Sequence, residues 1–156
     1  MIIHFWELPE KRTYVIFKKG FKEGLLKTLE KKKYPWKIRN KIKKGKISIE
    51  KLKKISKNEK IPLETFENEI IWMGGNVSRG LLYPKLPFNI STRSSARFVA
   101  AIINDGTLTK ENGEGIGYGR LMYDNFDESL RNSVIKDYLD IFGGKKEEIV
   151  FRNLEK

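Results

Sequence analysis

Residues 96–109 read ARFVAAIINDGTLT, and the group in them that could do chemistry is the carboxylate of Asp105. The run from Phe98 to Asn104 carries no charge; then come the aspartate and Gly106. If the run is a helix, Asp105 stands at its C-terminal end, where partial negative charge makes an anion cost about 0.3–1 kcal/mol. Gly106 suits that end, because glycine enters the left-handed conformation that terminates helices. Asp105 has two readings. It is a turn residue in Asn-Asp-Gly, or something positive sits beside it.

A second set is cationic. In YPWKIRNKIKKGK, Lys37, Arg39, Lys41, Lys43 and Lys44 surround an apolar spacing of Tyr34, Ile38 and Ile42. Residues 1–60 hold 20 Lys and Arg against 6 Asp and Glu, a net of +14 within a chain whose total is +12. Such a half suits polyanion binding through phosphate contacts. The competing reading is a solvated face in a Lys-rich composition. A third set is GEGIGYGR, where Gly115, Gly117 and Gly119 alternate along one strand face. Arg120 stands where G-x-G-x-x-G needs glycine, so a nucleotide cofactor is not expected. Lys110 and Arg120 on these strands are further candidates for phosphate contact.

Other chemistry is excluded by composition. There is no cysteine, and His4 is the single histidine. Disulfides and thiolate metal sites are therefore excluded, and neither a zinc site of ordinary ligand spacing nor a Ser-His or Cys-His triad is expected. No apolar run reaches the ~18 residues of a membrane span, and no signal peptide opens the chain, so a cytoplasmic protein is expected.

The elements that must position these groups follow from periodicity. IIHFW and TYVIF predict a short β-hairpin within residues 1–20. Residues 21–75 predict short helices: one with Phe21, Leu25, Leu26 and Leu29 inward, one from Pro35 to Gly45, one capped by Ser48 with Ile49, Leu52 and Ile55 inward, and one from Pro62 with Leu63, Phe66, Ile70 and Met73 inward. Two of these helices with cations outside outline a helix-turn-helix module, with PWKIRNKIKKGK as its recognition candidate. Residues 76–90 read as a linker. Residues 91–156 predict a helix over Thr92–Asn104, a hairpin turning at ENGEG, a helix capped by Asn125 with Leu130, Val134, Tyr138 and Ile141 inward and ended by Gly143 and Gly144, and a strand at EEIVF.

The nine residues FVAAIINDG, Phe98 to Gly106, resemble without a gap the signature of the LAGLIDADG homing endonucleases. YGRLMYDNFDESLRNSVIKDYLDIFGG resembles that family's second strand and second helix. The resemblance covers residues 83–156 well and residues 21–75 weakly. It implies an α+β protein: a small helical helix-turn-helix-like module followed by a partial αββαβ unit of the LAGLIDADG type. It also implies that two signature helices pack side by side on small residues, here Ala96, Ala100 and Ala101. Asp105 then lies at the bottom of the helix pair as a catalytic residue and metal ligand for a shared Mg²⁺, and the strands lie in the major groove of double-stranded DNA. Two departures matter. Ile103 replaces the usual acid at the sixth motif position, and a fourth strand and further helix are missing after Ile149–Phe151. One motif per chain implies a homodimer. Three functions follow: a divalent-metal-dependent DNA endonuclease, a non-cleaving dimeric DNA-binding regulator on the same scaffold, and an RNA-binding or structural basic protein.

Overall fold

The computed structural model describes residues 1–75, 80–109 and 120–149. In chain order come β1 (Ile2–Ile3), β2 (Tyr14–Phe17), α1 (Lys19–Lys31), α2 (Trp36–Lys43), β3 (Ile47–Ser48), α3 (Ile49–Glu59), α4 (Leu63–Glu67) and β4 (Ile70–Gly74). There follow β5 (Leu81–Leu82), β6 (Phe88–Asn89), α5 (Arg93–Asp105), β7 (Gly106–Thr109), β8 (Arg120–Tyr123) and α6 (Glu128–Phe142). Helix and sheet are mixed, as expected for an α+β chain. It divides into two compact units, Ile3–Pro87 and Phe88–Lys156, the second including Met1–Ile2. The boundary at Pro87 falls inside the stretch expected to be a linker, which instead contributes β5 and β6.

The first unit is built on an antiparallel sheet of order β3-β2-β4-β5. Val15 sits opposite Ile47 on one side and Met73 on the other. Residues of β2 alternate between half-buried and buried, so Val15 and Phe17 enter the core. Against them lie Leu25 and Leu29 of α1, the full α3 stripe of Ile49, Leu52 and Ile55, and Phe66 of α4. Phe17, Phe21 and Phe66 form a ring cluster with centroids 5.2–5.9 Å apart. Each such side chain stabilises the fold by about 1.5–3 kcal/mol on burial.

Three expectations for this unit are corrected. The helix from Pro62 stops at Glu67, and Ile70 and Met73 lie on strand β4. A short apolar run fits either period, and the β-branched and aromatic Ile70, Ile71 and Trp72 favour the pleated surface. The hairpin between residues 2–6 and 13–17 does not form, because β1 pairs with β6 and Phe5–Glu7 make a 3-10 turn. That turn is closed by the His4 N–H donating to Glu7 over 2.6 Å. Ser48 stands before α3 but its hydroxyl makes no capping bond. The free N–H groups of Ile49 and Glu50 donate instead to the carbonyls of Thr13 (3.0 Å) and Glu10 (3.2 Å), so a neighbouring segment does the work of a cap.

The second unit packs α5 against α6. Phe98, Tyr138 and Phe142 cluster, and Phe88 of β6 closes on Phe142 at 5.3 Å. Asp137 is buried on α6, and Arg97 of α5 grips it with two nitrogens, Nε at 2.9 Å and Nη2 closer still. A buried carboxylate is tolerated only with such pairing, and removing one partner typically costs ~3–5 kcal/mol. Thr92 caps α5 by accepting the Ser95 N–H at 3.1 Å. The hairpin β7–β8 is antiparallel, with Gly106 opposite Tyr123 and Thr109 opposite Arg120; its expected turn lies outside the described residues. The cap of α6 is Asp127, not Asn125, accepting the N–H groups of Ser129 (2.7 Å) and Leu130 (3.3 Å). The buried positions of α6 are Ile135, Asp137 and Ile141, whereas Leu130 is 48% exposed and Val134 and Tyr138 are half-buried. Gly143 ends α6 with φ 78°. Lys146–Glu148 form a 3-10 turn at the start of the strand expected at EEIVF, whose residues Val150 and Phe151 lie outside the described residues.

The single histidine generates a pH prediction. Glu67 is buried on α4, where one carboxylate oxygen accepts the Phe5 N–H at 3.0 Å and the other meets His4 Nδ1 at 3.0 Å. The His4 ring stacks on Trp6 at 4.3 Å. The hydrogen bond to Glu67 raises the His4 pKa above its usual 6.5, against a lowering by desolvation. A raised folded value means that the stabilisation is complete below pH 6.5 and is lost as pH rises through the folded value. The unfolding midpoint should therefore fall as pH climbs above 6.5, and a thermal-melt series should show that slope flattened in His4→Gln.

Candidate nucleic-acid interface and the Asp105 end of helix α5

Helix α2 follows α1 after a tight turn. Lys33 takes a positive φ of 53° there, and the Tyr34 N–H reaches back to the Leu29 carbonyl at 2.9 Å. Ile42 is fully buried and Ile38 half-buried, so this edge of α2 faces the core and the opposite face meets solvent. Lys37, Lys41, Lys43 and Lys44 are all exposed. Arg39 differs from them. Its Nε donates to the Tyr34 carbonyl at 3.0 Å and its Nη1 lies 3.5 Å from Glu30, so it fastens α2 to the end of α1. Of the five cations expected on this helix, four project outward and one is largely structural.

Two residues of this face escape a sequence reading. Trp36, the first residue of α2, is 66% exposed. Its neighbours four and seven positions on, Asn40 and Lys43, fall on the same face at ~100° per residue. Lys51 of α3 is the other. The nearby positive charge of Lys41 on α2 lowers the Lys51 pKa from its usual value, and burial adds to the effect. Only the tertiary fold brings positions 41 and 51 together. Two ammonium groups close together destabilise each other and favour an anion placed near both.

At the other candidate centre, Asp105 is the last residue of α5 and is exposed. Gly106 does not take the left-handed conformation. Its φ is −89° and its ψ 148°, and the chain passes from helix straight into β7. Glycine is required for another reason: a Cβ there would lie 2.4 Å from the Ile102 carbonyl oxygen and 2.8 Å from the Ile102 Cα. Among the described residues, the side chain that holds Asp105 is an amide. Asn125 Nδ2 donates to Asp105 Oδ2 at 2.9 Å, and Asn125 Oδ1 accepts the Asp127 N–H at 2.8 Å. Burial, and then the charge of Asp105, raise the Tyr123 hydroxyl pKa. Asp105 thus ties the end of α5 to the segment leaving β8.

Among the described residues no three His, Asp or Glu side chains gather to hold a metal ion. Mg²⁺ at Asp105 would therefore need ligands beyond those the described residues gather there. Along α5, Ala96, Val99, Ala100 and Ile103 form an exposed stripe, Val99 at 53% and Ile103 at 76%. Ala101, half-buried, lies ~100° round the helix from Ala100. Arg120 pairs through its backbone with Thr109. Lys110 and the glycine series at 115–119 lie outside the described residues.

Two measurements follow. Gly106→Ala should destabilise the chain by roughly 1–3 kcal/mol, because the clash is with backbone that cannot swing away; chemical denaturation would read it. Replacing Lys41 or Lys51 with Gln should lower the log–log salt slope of DNA binding by about 1 each if both touch phosphate. The Lys51→Gln variant should at the same time melt no lower than the parent, since a repulsion is removed. An unchanged slope would put both lysines outside the interface.

No protein-family model, curated protein or solved structure matches the chain.

Proposed function

We propose that the protein binds double-stranded DNA as a homodimer, on a scaffold like that of the LAGLIDADG homing endonucleases with a helix-turn-helix-like basic module ahead of it. The observation that carries this reading is the outward face of α2, where Lys37, Lys41, Lys43 and Lys44 are exposed together. Cations on one exposed helix face neutralise phosphates and release counterions, which drives association with duplex DNA. The dimer is supported by α5, whose stripe of Ala96, Val99, Ala100 and Ile103 is apolar, small-residue-rich and open to solvent. Small side chains on a second copy of the same helix would let the two backbones approach.

A second reading, metal-dependent cleavage of DNA, is favoured by one specific placement. Asp105 is exposed at the C-terminal end of α5, two residues beyond Ile103. A twofold-related copy would bring a second Asp105 near it, and a bound Mg²⁺ would supply Lewis-acid assistance to phosphodiester hydrolysis. Within a single chain the non-cleaving form is favoured, because Asp105 already accepts from Asn125 and among the described residues no group of three acids gathers to hold a metal ion.

Sedimentation and plasmid assays separate these readings. The wild-type chain should sediment as a dimer, and the paired variant Val99→Glu with Ile103→Glu as a monomer whose DNA affinity drops on the order of 100-fold through lost bivalency. A wild-type monomer at high concentration would overturn the homodimer. With supercoiled plasmid and Mg²⁺, nicking that disappears in Asp105→Asn supports the endonuclease. Tight binding without nicking supports the regulator.

A further inference from the structure

Trp36 has no part in the phosphate contacts just described, yet it is the most exposed tryptophan of the chain. Trp72 is buried at 6% exposure, and Trp6 is stacked on His4. Trp36 is 66% exposed, and among the described residues no ring lies against it. It opens α2 immediately before Lys37, and Asn40, Lys43 and Lys44 continue its face. Ile38 and Ile42, on the opposite side, hold the helix to the core. A large flat apolar surface is therefore offered to solvent on a rigid helix, with exposed cations on both sides of it.

Each part of that arrangement suits a different part of a nucleotide. Ammonium groups at Lys37, Lys43 and Lys44 suit phosphate oxygens. An indole face suits the face of a base, and stacking of base on aromatic tolerates any sequence. In a duplex every interior base face is covered by its neighbours, so the indole finds no surface to stack on. A base is available to it only where the strand is single, frayed or flipped.

We propose that Trp36 is a stacking platform for an unpaired base, so that the α2 face takes single-stranded or locally opened DNA as well as duplex. This rests on the reading of α2 as a DNA-binding face and narrows its ligand to strands that expose bases. An oligothymidine strand engages both indole and lysines. A duplex, or a strand of the same length with abasic residues, engages the lysines alone.

The test measures affinity of the full chain for three probes: oligothymidine, an equally long abasic strand and a blunt duplex. Trp36→Ala should weaken oligothymidine binding roughly tenfold, within the range of one lost stack, with Trp36→Phe recovering most of it. The same change should alter abasic-strand and duplex affinities by less than about threefold, the lysine contacts being intact. Thermal unfolding confirms that the variants fold. If Trp36→Ala binds oligothymidine as the parent does while Lys43→Glu with Lys44→Glu loses all three probes, the stacking platform falls and the DNA-binding face stands. If the lysine variant also binds unchanged, both fall. An equal loss on all three probes from Trp36→Ala would likewise overturn stacking, since abasic and duplex ligands offer no free base.

Discussion

A helix can hide an apolar face only against something, and α5 has two such faces. One is occupied within its unit: Phe98 meets Tyr138 and Phe142, Arg97 is clamped on buried Asp137, and Ser95 is buried, donating to the Asn89 carbonyl at 3.2 Å. These contacts fix the rotation of α5 about its axis. Once that rotation is set, Ala96, Val99, Ala100 and Ile103 must point the other way. The exposed stripe is thus a consequence of how α5 packs on α6, and its apolar character is the unexplained part. Val99 at 53% and Ile103 at 76% exposure gain nothing from water, whereas a second copy would cover them.

The same rotation determines where Asp105 goes. Because Gly106 has no Cβ, the chain passes the Ile102 carbonyl at close range and enters β7 without a loop. Helix end and hairpin therefore form one continuous piece, and Asp105 sits at its corner. The Asp124 N–H donates to the Asp105 carbonyl at 3.4 Å, while Asn125 holds its carboxylate. An anion at a helix C-terminus is disfavoured, and a neutral amide donor offsets only part of that cost. The corner remains a place where added positive charge would be welcome.

Much of this was legible in the residues. The spacing of Ile49, Leu52 and Ile55 gave the buried edge of α3, and Phe98 to Gly106 marked the helix end and the turn into strand. Other features depend on packing that residue spacing does not encode. Ser48 looked like a cap, but carbonyls of Thr13 and Glu10 satisfy α3. Asn125 looked like the start of α6, but its amide serves Asp105, leaving Asp127 to cap. Gly106 looked like a left-handed terminus, yet the constraint is crowding. The meeting of Lys41 and Lys51 could not be read at all, since it depends on how α2 and α3 pack.

The distribution of acids explains why the outer face of α2 stays cationic. In the first unit carboxylates are engaged elsewhere: Glu10 with Lys53, Glu50 with Lys54, Glu59 with Lys32, Glu69 with Lys18 and Glu30 with Arg39. Among the described residues, Lys37, Lys43 and Lys44 have no acidic partner. Exposed pairs contribute little to stability, about 0–1 kcal/mol each, so their larger effect is on the field. With those acids placed elsewhere, Lys37, Lys41, Lys43 and Lys44 keep their charge exposed along one short helix. Cations gathered on one exposed face attract polyanions in general, and the residue at the head of this face is the Trp36 indole.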